Sequence, residues 1–176
     1  NTAGSWTVTA TDVTDGSKAA NTSSAIPVNL GAFVQLQVLL PGETAAPGTP
    51  TGKTGSPTAQ TAGTGYTVTI NAVDANYNLI NTNDTVHIAS SDPQAELPTD
   101  GALSGGTMTF SITNRTAGSW TVTASDVTQA GIASNTSTAI TINPAAASQL
   151  VIGVAPSATA TAGVPFAQQP AIRIED

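Results

Sequence analysis

The side chains in this chain that are spaced for chemistry are oxygen-bearing ones at alternate positions: Asp74, Asn76 and Asn78. Calcium loops gather carboxylate and amide oxygens at such alternate positions around one hard cation. Asp84 and Asp92 are the candidate further ligands. The pattern is incomplete, because the sixth position of the loop is Leu79 where a calcium loop turns on Gly, and no bidentate Glu follows at its end. Two readings therefore stand side by side: a calcium site, or an Asx-rich turn between strands.

Other residue types say less. Asn21, Asn83, Asn114 and Asn135 each open an Asn-X-Ser/Thr sequon, which makes them candidate glycosylation sites on a surface. His87 is the single histidine, flanked by Val86 and Ile88, and alternation turns it outward as a solvated strand residue. His87 faces outward alone, so no Ser-His-Asp constellation is expected, and without Cys there is no thiol nucleophile or thiolate metal site. Asp92 and Glu96 fall in a turn-rich stretch and read as solubilising charges. Gly52-Lys53-Thr54 has the ending of a phosphate loop without its glycine spacing or following helix. The expectation is a chain with no catalytic residue and no cofactor beyond the calcium just considered.

Charge sets further bounds. The four basic residues, Lys18, Lys53, Arg115 and Arg173, are scattered, and the net charge is -7, so no basic surface exists for nucleic acid. No apolar run approaches the ~20 residues of a membrane-spanning helix.

The elements that must position these residues are organised by a repeat. Thr2-Ala-Gly-Ser-Trp-Thr-Val-Thr-Ala10 returns unchanged at Thr116–Ala124, and 19 of the 28 positions from Thr2 to Asn29 match their partners 114 residues on. A fixed long period signals stacked modules. It divides the chain into the last part of one module (1–29), a complete module (30–143) and the first part of another (144–176), so the expectation is a window on a longer array. The links between modules are short, Leu30-Gly31-Ala32 and Pro144 to Ser148, which restricts bending. Segment 41–60, dense in Pro and Gly, reads as a structureless insertion specific to the complete module, since Pro156 to Thr161 is its shorter counterpart.

Period-two alternation with abundant Thr and Val predicts strands throughout, and the fold class expected is all-β. In the complete module the inward residues are predicted to be Leu36, Val38 and Leu40; Tyr66, Val68, Ile70 and Ala72; Val86 and Ile88; Leu97 and Leu103; Met108, Phe110 and Ile112; Trp120, Val122 and Ala124; Ile140 and Ile142. About seven strands per module fit a two-sheet sandwich. Trp6, Phe33, Tyr66 and Trp120 fall on inward or joint positions and read as packing, whereas Tyr77 sits in a turn as the exposed aromatic.

The succession Thr61-Ala62-Gly63, a strand, Asp74-Ala-Asn-Tyr-Asn78, Ser90-Ser-Asp92, then Thr116-Ala-Gly-Ser-Trp to Asp126 resembles the bacterial immunoglobulin-like repeats of large surface and secreted proteins, similar in style to invasin/intimin-type and filamin-type repeats. The resemblance covers nearly the whole chain and implies a stalk, adhesin or fibre module outside the cell or on its surface. The insertion at 41–60 departs from the shortest form of such repeats. Three functions follow as expectations. The first is a structural spacer whose partners are neighbouring modules of the same or identical chains, with strand pairing into a filament as its sharper form. The second is an adhesion module contacting glycan or host protein through loop 41–60 and turn 74–78. The third is an accessory domain of a secreted hydrolase.

Overall fold

The computed structural model describes residues 2–176. The protein is all-β, and the described residues contain no helix long and apolar enough to cross a membrane. Four short strands lead: β1 (Gly4–Trp6), β2 (Thr9–Ala10), β3 (Asn21–Thr22) and β4 (Ile26–Val28). They form two small antiparallel pairs, β1 with β4 and β2 with β3. The central stretch carries β5 (Gln35–Leu39), β6 (Glu43–Ala45), β7 (Lys53–Gly55), β8 (Gln60–Thr61), β9 (Tyr66–Val73), β10 (Thr85–Ser90), β11 (Gly101–Ala102), β12 (Thr107–Ile112), β13 (Gly118–Trp120), β14 (Val122–Asp126), β15 (Asn135–Thr136) and β16 (Ile140–Asn143). A final antiparallel pair joins β17 (Gln149–Val154) to β18 (Ala171–Glu175).

One hydrophobic core holds the central stretch, and it is a β-sandwich. Sheet β12-β9-β5 supplies Leu36, Val38, Val68, Ile70, Phe110 and Ile112; β10, β14 and β16 supply Val86, Ile88, Val122, Ala124, Ile140 and Ile142 from the opposite side. All are buried because period-two strands put one row of β-branched and aromatic side chains on each inner face. The polar partners of that alternation, Thr67, Thr109 and Ser111, stay outside.

Three expected inward positions differ. Met108 and Leu97 are exposed, while Leu103 and Phe110 are buried. Met108 follows the inward parity of β12, but it lies at the strand's start, beside Gly101, past the lateral edge of the core. Trp120 is half-buried at the rim rather than filling the core, because its indole N–H turns back to donate to the Thr116 carbonyl at 2.7 Å and its ring lies over Gly118.

The expected structureless insertion is also corrected. Residues 43–55 form the hairpin β6–β7, with Glu43 opposite Gly55 and Ala45 opposite Lys53. Its strands are only three residues long, and the surrounding Pro and Gly hide them from a pattern reading. The hairpin is docked on the central stretch. Gln37 Nε2 donates to the Gly52 carbonyl (2.8 Å), Asn71 Nδ2 to Gln37 Oε1 (3.1 Å) and Thr107 Oγ1 to Asn71 Oδ1 (2.7 Å), so a polar ladder crosses the sheet beneath it. Lys53 Nζ meets Glu43 Oε1 at 2.8 Å with both side chains largely shielded. That accounts for buried Gln37 and Asn71 on a face expected to be wet: the hairpin is its lid.

The repeat is visible as geometry. Trp6 Nε1 donates to Thr2 O (2.9 Å) as Trp120 does to Thr116 O. Val8 N donates to Ser23 Oγ (3.1 Å) as Val122 N does to Ser137 Oγ (3.0 Å). The Thr9–Thr22 hydroxyl pair at 2.8 Å matches Thr123–Thr136 at 2.9 Å. Asp12 Oδ1 accepts the Thr14 and Asp15 amides as Asp126 Oδ1 accepts those of Thr128 and Gln129. Strand register is also shared, with Trp6 opposite Ile26 and Trp120 opposite Ile140.

Candidate functional site

The 74–78 stretch is a tight loop closing β9. Asp74 N donates to Asn78 O (3.0 Å) and Tyr77 N to Asp74 O (3.0 Å), and Tyr77 takes a left-handed φ of 63° to complete the turn. For a residue with a Cβ that conformation costs roughly 1–2 kcal/mol, so the surroundings must hold it. The Asp74 carboxylate does much of that. Its Oδ1 accepts the amides of Asn76 (2.8 Å) and Asn78 (2.9 Å), and both oxygens accept Asn78 Nδ2, at 3.1 and 2.9 Å. Oδ2 also accepts the amide of Gly31, 43 residues away, at 3.0 Å.

Asp74 is buried. Burial pushes its carboxyl up, but the hydrogen bonds from the Asn78 side chain and from the Gly31, Asn78 and Asn76 amides outweigh it and hold the group below the usual carboxylate value. The lone pairs of Asp74 thus point at N–H donors. A calcium ion needs those oxygens for itself and would have to displace the donors. Asn76 is exposed, and Asn78 Oδ1 accepts the amide of Ala3 at 2.9 Å.

The two further ligand candidates serve other loops. Asp84 accepts Thr82 Oγ1 (2.6 Å) and Gln129 Nε2 (2.6 Å); the Thr82 hydroxyl is the largest cause of its lowered pKa, against burial, with Gln129 and Asp126 also lowering it. Asp92 is buried, which raises its pKa, but the Gln94 amide, the Asn114 side chain and the Thr116 amide lower it further than burial raises it. Among the described residues no group of three or more His, Asp or Glu side chains is placed to hold a metal ion.

Asp92 also explains one sequon. Asn114 is buried, donating Nδ2 to Asp92 Oδ2 (3.1 Å) and accepting the Tyr66 hydroxyl on Oδ1 at 2.6 Å. Burial and the Asp92 charge push the Tyr66 phenol up to about 12. The Asn114 amide nitrogen therefore faces the protein interior. Asn135 is half-buried, with Oδ1 taken by the Val38 amide at 3.0 Å. Asn21 and Asn83 have exposed side chains. His87 is exposed as expected and pairs with Asp100, Nδ1 to Oδ1 at 2.7 Å, a contact alternation alone could not reveal. Glu96 and Arg115 form an exposed ion pair.

What the structure brings together is the hairpin and the loop. Gly48 N, in the hairpin tip, donates to Asn76 O at 2.8 Å. The Tyr77 ring lies against Gly52, where any Cβ would collide with ring carbons, and Gly52 itself has a left-handed φ of 70°. Thr2 Oγ1 reaches the Pro47 carbonyl at 3.3 Å. Segments 2–3, 31, 46–52 and 74–78 therefore meet at one place. Tyr77, expected as the exposed aromatic, is half-buried in this contact.

No protein-family model matches the chain, and no curated protein sequence matches it. Among solved structures it is similar to domains 1–6 of the surface layer protein SbsC, with a TM-score of 0.42, 13% identity, and coverage of 86% of this chain and 18% of that one. It is also similar to domains 4 and 5 of the S-layer protein SbsC, with a TM-score of 0.39, 13% identity, and coverage of 70% and 63%. The chain thus spans less than a fifth of the first and under two thirds of the second.

Proposed function

We propose that this chain is a structural segment of a bacterial extracellular stalk, adhesin or fibre, in which tandem immunoglobulin-like β-sandwich modules act as rigid spacers. On this reading residues 1–29, 30–143 and 144–176 belong to three successive modules. The observation that carries it is the repetition of the link itself. Gly31 N donates to Asp74 Oδ2, and 114 residues on Ala145 N donates to Asp176 Oδ2 at 2.7 Å. The strands beside each link repeat too: β5 pairs with β9 as β17 pairs with β18, with Gln35 opposite Val73 and Gln149 opposite Glu175. A spacer needs folded units joined the same way each time, and a hydrogen-bonded link of a few residues provides it.

The apolar face of β1–β4, carrying Trp6, Val8, Ile26 and Val28, is exposed, as is that of β17–β18 with Leu150, Ile152, Ile172 and Ile174. In a filament or a longer chain, neighbouring strands of the same or an identical polypeptide cover these faces. Electron microscopy of the parent polypeptide tests the reading. Rods whose length grows by a constant increment per Thr-Ala-Gly-Ser-Trp copy are expected; compact particles of no fixed increment contradict it.

A second reading, adhesion to glycan or host protein, draws on the meeting of hairpin 41–60 with turn 74–78, where Pro47, Ala75 and Asn76 are exposed. Replacing the hairpin should then abolish adhesion while the module stays folded. Calcium at Asp74, Asn76 and Asn78 stands as a separate proposal, and glycans on the sequons go with the fibre reading, with Asn21 and Asn83 the accessible positions.

A further inference from the structure

We propose that the 41–60 hairpin is a buttress that locks the joint between the complete module and the segment before it, with Thr2-Ala3, leading into β1, as its partner. The inference rests on the tandem-module reading and adds a role for the insertion that this reading lacks.

Two left-handed residues, Tyr77 and Gly52, are set against each other so that the ring packs on a bare backbone. A free binding loop has no need of that arrangement. Here it fixes the hairpin tip to the 74–78 loop, and the Gly48–Asn76 bond adds a second tie. The fused pair then makes contacts outside the module. Asn78 Oδ1 accepts the Ala3 amide, Pro47 O accepts the Thr2 hydroxyl, and Asp74 Oδ2 accepts the Gly31 amide in the link. Three bonds spread over three segments resist rotation about the link, where a single bond would act as a hinge. The socket recognises backbone amides and a hydroxyl, the chemistry that a Thr-Ala-Gly strand entry offers, and the same entry recurs at Thr116-Ala117-Gly118, where Gly118 pairs with Ile142 beside the second link.

The two links differ in the part that matters. From link donor to link carboxylate the chain runs 43 positions at the first (Gly31 to Asp74) and 31 at the second (Ala145 to Asp176), a difference of 12. The missing length is the hairpin: Pro156 to Thr161 replaces it, and no strand is formed there. Both links keep the carboxylate bond, and the first adds the buttress. Insertion length at this position is then a way to set the stiffness of individual joints in an otherwise uniform array.

The chain has no Cys, so spin labels can be placed cleanly. In the full 176-residue chain, Ser5→Cys with Thr67→Cys reports the first joint, and Thr67→Cys with Arg173→Cys the second; all three positions are exposed. Pulsed electron–electron double resonance should give a narrow distance distribution across the first joint, with the second serving as an internal control. Replacing 46–52 by Asn-Gly keeps Ala45 opposite Lys53 in a two-residue hairpin and removes the tip. It should abolish the narrow peak across the first joint and leave the second unchanged, with the urea midpoint of the central module confirming the fold. Tyr77→Ala, which frees the tip without shortening it, should broaden the first joint in the same direction. A first-joint distribution that stays narrow in both variants overturns the buttress but leaves the spacer reading standing. A broad distribution in the unmodified chain overturns both.

Discussion

The nine residues Thr2–Ala10 and Thr116–Ala124 are identical, fold into the same local shape, and end in opposite environments. Val8 is 65% exposed and Val122 1%; Ile26, across from Trp6, is 48% exposed, and Ile140, across from Trp120, 0%. The hydrogen bonds do not notice the difference. Both indoles cap the carbonyl four residues back, both Ser hydroxyls hold the strand crossing, and both Asp side chains close the following turn. Local geometry here is written within about thirty residues. Burial is supplied from outside, by the strands between Gln35 and Ile112 in the central module.

That contrast can be broken by mutation. Ile140→Ala should cost about 2–5 kcal/mol, the usual range for emptying a packed site, read as a fall in the urea midpoint. Ile26→Ala, the same change in the other copy, should stay within about 0.5 kcal/mol. Equal effects would mean that the two copies are equally packed in solution. Asp92→Ala should come next, at about 2–3 kcal/mol, because it orphans the amides of Arg115 and Thr116 and the side chain of Asn114 inside the central module.

Acid should separate the regions further. Asp74, Asp84 and Asp92 are buried carboxyls whose folded pKa values lie below the ordinary 3.8. A depressed pKa contributes stability that is present above the unfolded value and is lost as pH falls through the folded one. The central module's urea midpoint should therefore decline as pH drops below 3.8. Asp12 and Asp15 are lowered too, first by the Thr14 and Ser17 side chains respectively, but both are exposed and lie outside the central stretch, so their protonation should leave that midpoint unmoved. A midpoint flat through this window would remove the three buried carboxylates from the account. Trp fluorescence sharpens the same contrast at smaller amplitude. The spectrum of Trp120→Phe, which leaves Trp6, should be red-shifted and readily quenched by iodide, and that of Trp6→Phe less so. The smallest effect expected is Thr123→Val, at about 0.5 kcal/mol or less, since its hydroxyl pair with Thr136 is exposed.

The all-β class and most of the core could be read from alternation, because Val68, Ile70, Phe110, Ile112, Val122 and Ile140 alternate with Thr and Ser and each strand is half wet. Parity fails at Met108 for a definite reason: it says which way a side chain points, not where the core ends sideways; Leu97 lies in a turn-rich stretch outside any strand, where no alternation constrains it. Parity puts Gln37 and Asn71 on the face away from the core, but they are buried there by a hairpin whose three-residue strands leave no periodic signal. Of the candidate site, the turn at 74–78 was legible from its Asx residues. Its partners were not, since Gly31 is 43 and Ala3 75 positions from the residue that binds it. The buried role of Asn114 was hidden in the same way, because a sequon is a local pattern and the Asp92 and Tyr66 contacts are distant ones.

Completing the exposed copy is the direct test of equivalence between modules. Residues 30–115 placed ahead of Thr2 would reproduce the junction Arg115–Thr116 and offer the leading strands the same partners that cover the second copy. Amide hydrogen exchange at Val8 and Ala10 should then slow to the rates of Val122 and Ala124. Rates at Val8 and Ala10 that stay as fast as in the unextended chain would contradict the claim that these are interchangeable units of one repeated fold.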